Sequence, residues 1–331
     1  MIGMTNAVFF GVAGALDKAY PSGLREELAK DFAFPVPAVT KETVMDADLR
    51  GVEVLFGTWG MKVFDREFLE AAPDLKAVFY AAGTVKEFAT REAYDRGITI
   101  CGAWRANAIP VAEYTISVIL LSLKKFWQAS REIRQRKVMG PEIDVPGCFR
   151  TKVGLVSLGA IGMKVAELLR AFDVEVMAYD PYCDPEHARQ AGVKLITLEE
   201  VFRECDVVSV HVPLLSQTLK MIDGTLVNSM KEGATLINTA RGAVLDEESV
   251  LEIFRERTDL TAVLDVTVTE PPAKESLVYT LENVIYTPHI AGSMGSEIAR
   301  MGYWMAEEAQ RYLAGEPLKH QITFDMLGSV A

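Results

Sequence analysis

The chain has 331 residues, of which half are apolar and 24% are charged, as in an ordinary soluble globular protein with room for two domains. Acidic side chains outnumber basic ones by 46 to 34, which gives a formal net charge of −12. Because such a surface repels phosphate backbones and anionic lipids, neither nucleic acid nor a membrane is an expected partner.

The four cysteines form no recognisable metal or disulfide pattern. They are scattered along the chain, and there is no Cys-x-x-Cys. We therefore expect free thiols, no metal site and a reducing, cytoplasmic environment. The cysteines are Cys101, Cys148, Cys183 and Cys205.

The first apolar segment, residues 7–16, has the length of a signal-sequence core. No Lys or Arg precedes it, and Asp17 and Lys18 follow directly, so a buried strand is the better interpretation. The apolar run Ile116–Leu123 is too short by itself to span a bilayer.

Residues 1–106 alternate short apolar runs with amphipathic stretches, a pattern typical of parallel strands covered by helices. A long helix is then predicted from about Ala108 to Arg136, with Pro110 in its first turn. The predicted strands are Val8–Phe10, Val52–Phe56, Ala77–Tyr80 and Ile98–Ile100, and the helices between them Leu24–Lys30, Asp65–Ala72 and Lys86–Asp95.

From Lys152 the alternation restarts in a more regular form, and a final amphipathic helix is predicted over residues 296–314. The predicted strands are Val153–Ser157, Val174–Tyr179, Val207–His211, Ala234–Asn238, Ala262–Asp265 and Val284–Tyr286, and the helices include Met163–Phe172 and Glu247–Arg255.

The first strand of this second region leads into a turn that suits a dinucleotide. Gly159 and Gly162 stand where the backbone approaches a pyrophosphate and where helix meets strand, but Ser157 replaces the first glycine of Gly-x-Gly-x-x-Gly. Ser157 has a small hydroxyl and can still make the turn if its φ is negative. Asp180, after the next strand, can accept the ribose hydroxyls and repel a 2′-phosphate, which favours NAD over NADP. A loop acid before Pro181 is the alternative for Asp180.

Three residues of the last third form the minimum set for reducing an α-keto acid. Arg241 can hold the substrate carboxylate and polarise its ketone, His289 can transfer the hydroxyl proton, and Glu270 can orient the imidazole. Taken singly, each has an ordinary alternative: a surface arginine, a turn acid and a loop histidine.

The ordered motifs of the chain resemble the D-isomer-specific 2-hydroxyacid dehydrogenase family over nearly the whole length. The intervals from Arg241 to Glu270 and from Glu270 to His289 are those of the family. The matching segments are Asn107 with Val111-Ala112-Glu113, the glycine turn, His211-Val212-Pro213-Leu214, Asn238-Thr239-Ala240-Arg241-Gly242, Asp265-Val266, Glu270-Pro271 and Pro288-His289-Ile290-Ala291-Gly292.

The resemblance implies two Rossmann-like, doubly wound parallel-sheet domains with the active site in the cleft. A flavodoxin-like substrate domain would comprise residues 1–106 and 294–331, and the NAD-binding domain, residues 107–293, would be inserted into it. A homodimer paired through the cofactor domain is implied as well. The implied cofactor-binding residues are Ser157, Gly159, Ala160, Ile161, Gly162, Asp180, His211, Val212, Pro213, Thr218, Thr239, Ala240, Asp265 and Gly292, with Asp265 on the nicotinamide carboxamide.

Four residues of the first domain are candidate substrate contacts. Ala82 and Gly83 follow a strand and could present backbone N–H groups to a carboxylate, although a simple tight turn would look the same. Trp59 and Trp104 stand at family positions near the cleft mouth, where structural anchoring is the alternative.

Other functions on the same fold remain open. An NAD(H)-sensing, non-enzymatic interaction protein is the main alternative, and turnover with keto acids would separate the two. A formate dehydrogenase-like enzyme would pair its histidine with glutamine, whereas this chain has Glu270. Against phosphoglycerate dehydrogenase, Gly57–Met61 carries no arginine for a substrate phosphate and no regulatory domain is expected after Ala331.

Overall fold

The computed structural model describes residues 4–137 and 145–328. The chain divides into two compact units, Met1–Asn107 with Ser293–Ala331, and Ala108–Gly292. Each unit is built on one sheet, of five and seven strands respectively, and the pairings between these strands are all parallel. The prediction of two doubly wound parallel-sheet domains, one interrupting the other in sequence, is confirmed.

The first unit has the strand order β2-β1-β3-β4-β5. Its strands are β1 (Thr5–Phe10), β2 (Phe32–Ala33), β3 (Val54–Gly57), β4 (Ala77–Tyr80) and β5 (Thr99–Gly102). Its helices are α1 (Ala13–Ala19), α2 (Ser22–Leu28), α3 (Arg66–Ala71), α4 (Arg91–Asp95) and, from the end of the chain, α12 (Glu297–Ala314).

The second unit has the strand order β12-β11-β10-β9-β6-β7-β8, so the order reverses between β6 and β9. Ligands of open α/β sheets bind at the carboxyl ends of the strands around such a reversal. The strands are β6 (Lys152–Val156), β7 (Glu175–Tyr179), β8 (Val193–Leu195), β9 (Val207–Val210), β10 (Thr235–Asn238), β11 (Thr261–Leu264) and β12 (Val284–Tyr286). The helices are α5 (Trp104–Leu123), which begins in the first unit, α6 (Phe126–Arg136), α7 (Ala160–Leu169), α8 (Pro185–Gln190), α9 (Leu198–Glu204), α10 (Gly224–Asn228) and α11 (Glu247–Glu256).

Neighbouring residues of the buried strands pack into different cores. In β10, Leu236 belongs to one apolar cluster and Ile237 to another. In β1, Phe9 and Phe10 likewise belong to two different clusters of the first unit. Because side chains alternate across a strand, each sheet has an apolar core on both faces. These strands are therefore continuous apolar runs, which explains why the sequence predicted most of them. The short strands β2 and β8 were missed because two or three residues carry no pattern.

The prediction of one helix from about Ala108 to Arg136 is wrong. Helix α5 begins earlier, at Trp104, and ends at Leu123, and α6 starts at Phe126 after a break in which Lys125 has φ +50°. Pro110 consequently lies inside α5 rather than in its first turn. The apolar pattern gives no sign of the break, since a left-handed residue other than glycine has no sequence signature.

Helix α5 is long and apolar enough to cross a membrane by length and composition alone. In this structure Ala112, Val118 and Ile119 are buried and pack in one cluster with Val153 and Leu155 of β6. The helix therefore serves as a core helix of the second unit.

Candidate active site

The three residues proposed for catalysis follow three adjacent strands. Arg241 comes after β10, Glu270 after β11 and His289 after β12, and these strands are neighbours in the sheet. Since parallel strands end at the same edge, the topology brings a cation, a carboxylate and an imidazole to one edge of the second unit.

Glu270 and His289 are in direct contact, with 2.8 Å between Glu270 Oε2 and His289 Nδ1. An ionised carboxylate can only accept, so Nδ1 carries the proton that it donates to Glu270. The other ring nitrogen, Nε2, is then the one that can give or take a proton. Both side chains are partly exposed, at 50% for His289 and 37% for Glu270, so a ligand can reach the ring.

The backbone of His289 is in the left-handed region, with φ +55°. Its N–H donates to Asp265 O at 2.9 Å, which ties the histidine to the end of β11. A residue other than glycine holds this conformation only where its surroundings impose it, and such positions concentrate at functional sites.

The main group that holds the conformation of His289 is the buried side chain of Asp265, a residue that is 1% exposed. Its Oδ1 accepts from Thr287 Oγ1 at 2.6 Å and Ile290 N at 2.9 Å, and its Oδ2 accepts from Ala291 N at 2.8 Å. One carboxylate thus holds the loop on both sides of His289. These bonds use three of about four lone-pair sites, which leaves one for a further donor such as the predicted carboxamide.

Tyr114 extends this network from helix α5 and was missed in the sequence analysis. Its hydroxyl lies 2.8 Å from Thr287 Oγ1. Because Thr287 gives its only proton to Asp265, Tyr114 is the donor in that contact. Burial raises the pKa of Tyr114, which keeps the phenol protonated. Thr287 adjoins the Pro288-His289 motif, but nothing in the sequence indicates that Tyr114, in a distant helix, contacts it.

The loop that carries Arg241 is held by Asn238, the fully buried last residue of β10. The Asn238 side chain accepts from Ala240 N at 3.0 Å and donates to Arg241 O at 3.1 Å. Arg241 Nη1 also donates to Ala240 O at 2.7 Å. The asparagine that the sequence motif contains therefore fixes the backbone from which the guanidinium projects.

Gly242 sets the approach of this loop to the Glu270 loop. A Cβ at Gly242 would lie 2.0 Å from Thr267 C and 2.3 Å from Val268 N. Thr267 N in turn donates to Glu270 Oε1 at 3.3 Å. The absence of a side chain at Gly242 therefore allows the two loops to pack backbone to backbone.

We expect Gly242→Ala to lower the free energy of unfolding by about 1–3 kcal/mol, the usual cost of overpacking, because the contacts are with backbone that cannot turn away. Thermal denaturation measures the change. Gly23→Ala is the matched control, since a Cβ at Gly23 meets nothing within 4 Å and Gly23 lies in a helix, where alanine is favoured. Equal melting temperatures for Gly242→Ala and wild type would contradict this packing.

The turn after β6 differs from the expectation in one respect. Ser157 has φ +82°, so the condition of a negative φ is not met, and the serine makes the turn in the conformation that glycine would supply. A Cβ at Gly162 would lie 2.1 Å from Ser157 O, so this glycine is required for α7 to pack on the turn. Gly159 is the N-cap of α7 and forms no side-chain cap, which leaves the helix N–H groups for an anion.

His211 follows β9 and borders the same turn, with its Cβ 3.8 Å from a Cβ built at Gly162. It is 7% exposed, and neither ring nitrogen has a hydrogen-bond partner in the described part of the chain. Burial lowers the pKa of His211 to about 3, so the ring is neutral. Buried nitrogens without partners are uncommon, and a bound cofactor would supply one. The turn and His211 therefore fit a dinucleotide.

The remaining predicted cofactor residues lie at the same strand ends. Thr218 Oγ1 donates to Pro213 O at 2.6 Å and accepts from Leu215 N at 2.8 Å, which closes the loop after Val212. Ala160 and Ile161 form the first turn of α7, Thr239 and Ala240 follow β10, and Gly292 ends the second unit.

The four candidate substrate residues belong to the first unit. Trp59 follows β3, Ala82 and Gly83 follow β4, and Trp104 follows β5, so all four stand at the carboxyl ends of neighbouring strands. A Cβ at Gly83 would lie 3.5 Å from Asn107 Nδ2. Their role in substrate binding stays a prediction.

No group of three His, Cys, Asp or Glu side chains that could hold a metal occurs within residues 4–137 and 145–328. The four cysteines are unpaired, and Cys101 and Cys205 are buried.

Residues 116–291 match the family model described as D-isomer specific 2-hydroxyacid dehydrogenase, NAD binding domain. A D-3-phosphoglycerate dehydrogenase of Archaeoglobus fulgidus is 33% identical over 264 residues, which cover 78% of this chain and 49% of the relative. The chain thus spans about half the length of that relative. A glyoxylate reductase of Korarchaeum cryptofilum is 31% identical over 88% of this chain and 87% of its own. The crystal structure of a phosphoglycerate oxidoreductase from Rhizobium etli has a TM-score of 0.82 at 19% identity, covering 98% of this chain and 99% of that one, and shares the fold.

Proposed function

The chain belongs to the D-isomer specific 2-hydroxyacid dehydrogenase family, with NAD as its cofactor, and from that premise we propose that it interconverts a 2-keto acid and a D-2-hydroxy acid. The observation that carries the proposal is the 2.8 Å contact between Glu270 and His289 Nδ1, at the strand edge that also carries Arg241. Oxidation of NADH by the purified protein in the presence of a 2-keto acid tests it.

Each of the three side chains has a distinct task in the reaction. The Arg241 guanidinium binds the substrate carboxylate and draws electron density from the ketone oxygen. His289 Nε2 donates a proton to the nascent alkoxide in reduction and accepts the hydroxyl proton in oxidation. Glu270 holds Nδ1 and so fixes both the tautomer and the ring orientation. Bound NADH or NAD supplies or accepts the hydride.

The cofactor would be held by the turn after β6 and by the ends of β7 and β9. The N–H groups at the start of α7 would bind the pyrophosphate, and Asp180 would accept from the ribose hydroxyls. On this proposal the unit Ala108–Gly292 is the cofactor domain, and the unit Met1–Asn107 with Ser293–Ala331 is the substrate domain.

We expect the protein to prefer NADH over NADPH at least tenfold in kcat/KM. Asp180 would face the 2′-phosphate of NADPH, and that repulsion should exceed the ~1.4 kcal/mol that a factor of ten requires. Replacing Asp180 by alanine and Tyr182 by arginine together should move the preference toward NADPH. Equal kcat/KM for the two cofactors in the wild-type protein would refute the assignment of Asp180.

The substrate is proposed to be a small 2-keto acid without a phosphate group. The segment Gly57–Met61, at the end of β3, has no arginine to bind one.

A homodimer and a cytoplasmic location stay predictions. Exposed aromatic side chains of the cofactor unit, Phe126 at 51% and Phe149 at 70%, would suit a subunit interface.

A further inference from the structure

The Asp180 carboxylate is fully occupied by donors of its own chain. Its Oδ1 accepts from Tyr182 N at 2.8 Å and from Cys183 N at 3.0 Å. Its Oδ2 accepts from Leu158 N at 2.7 Å and from Ser157 Oγ at 3.2 Å. An ionised carboxylate offers about four lone-pair sites, so all of them are in use.

A ribose hydroxyl can bind to Asp180 only if one of these donors leaves. Three of the donors are backbone N–H groups, whose positions are fixed by the turn after β6 and by the loop after β7. The fourth is the Ser157 hydroxyl, which makes the longest of the four bonds and can leave by rotation about a single torsion. It is therefore the donor that gives way.

We propose that the Ser157 hydroxyl competes with the adenosine ribose of NAD for the Asp180 carboxylate, so that Ser157 lowers the affinity of this chain for its cofactor. The inference rests on the proposed function for the identity of the ligand. It concerns a residue that stands where the fingerprint has glycine, which has no hydroxyl to compete.

The conformation of Ser157 provides a second, separable effect. A residue with a side chain is strained at φ +82°, whereas glycine is not. If the turn keeps this conformation on binding, the strain is the same in both states, so we expect it to affect the stability of the protein and not the dissociation constant. Ser157→Ala removes the hydroxyl and keeps the strain, and Ser157→Gly removes both.

The experiment is to measure the dissociation constant of NADH by fluorescence titration, together with melting temperatures, for wild type, Ser157→Ala and Ser157→Gly. We expect both variants to bind NADH roughly three- to tenfold more tightly, which corresponds to ~0.7–1.4 kcal/mol. Only Ser157→Gly should also melt a few degrees higher than wild type. The 2′,3′-dideoxyadenosine analogue of NADH is the ligand control: it has no ribose hydroxyl for Asp180, so the gain should disappear.

Unchanged or weaker NADH binding by Ser157→Ala would overturn the inference, because the hydroxyl would then be neutral or would itself bind the cofactor. A gain in affinity for Ser157→Gly alone, or an equal gain with the dideoxy analogue, would also overturn it. If wild type and both variants all fail to bind NADH, the cofactor assignment fails and this inference with it. If wild type binds NADH tightly and Ser157→Ala has no effect on the dissociation constant, the inference about Ser157 fails while the proposed function stands.

Discussion

Replacement of His289 by alanine should lower kcat for keto-acid reduction on the order of 10²–10⁴-fold, the usual weight of a positioned acid–base group. The variant keeps Arg241 and the turn after β6, so the dissociation constant of NADH should change little. Steady-state kinetics and a fluorescence titration measure the two quantities. Near-normal turnover by His289→Ala would show that the proton comes from elsewhere.

The matched control is His187→Ala, which removes an exposed histidine of helix α8 in the same unit and should leave kcat unchanged. Reduction requires a protonated His289 and oxidation a neutral one, so His289→Ala should slow the reaction in both directions. Glu270→Gln should retain partial activity, because the amide oxygen can still accept a hydrogen bond from Nδ1 and hold the ring.

Replacement of Arg241 by alanine should raise KM for the keto acid and also lower kcat, because the guanidinium both binds the carboxylate and polarises the ketone. We expect kcat/KM to fall on the order of 10²–10³-fold, in line with the ~2–5 kcal/mol lost when one partner of a buried charge pair is truncated. If Arg241→Ala raises KM and leaves kcat unchanged, Arg241 binds the substrate but does not polarise its ketone.

Two further variants bracket this effect. Arg241→Lys keeps the charge but loses the planar fork, so its activity should lie between those of wild type and Arg241→Ala. Arg255→Ala removes an exposed arginine of α11 and should have wild-type kinetics. If Arg241→Lys is as active as wild type, bidentate binding is not required.

The sequence was most informative where burial dictates composition. Strands such as β6 and β10 are covered on both faces and therefore appear as apolar runs between helices. Because the chain alternates such runs with helices, the strands could be predicted to be parallel. Parallel strands end at the same edge of a sheet, so the position of Arg241, Glu270 and His289 at one edge could be predicted as well. That Glu270 and His289 would touch came from the family spacing and not from the local pattern.

What the sequence did not reveal depends on long-range geometry. The positive φ of Ser157 and the break at Lys125 arise from packing, because neither residue favours that conformation. The network from Tyr114 through Thr287 to Asp265 joins a helix to two distant strand ends, and no spacing rule links them. Asp265 was predicted only as a cofactor residue, whereas it also holds the loop of His289.

Multiple-turnover oxidation of NADH with a panel of 2-keto acids, followed by chiral analysis of the product, tests the central claim most directly. Glyoxylate, pyruvate, hydroxypyruvate and larger keto acids cover the range of side chains, and glyoxylate serves for turnover only, since its product is achiral. We predict many turnovers per active site with at least one of them, formation of the D-2-hydroxy acid from each chiral substrate that reacts, and loss of turnover in His289→Ala. Tight binding of NADH without turnover on any keto acid, or formation of the L-isomer, would contradict the account.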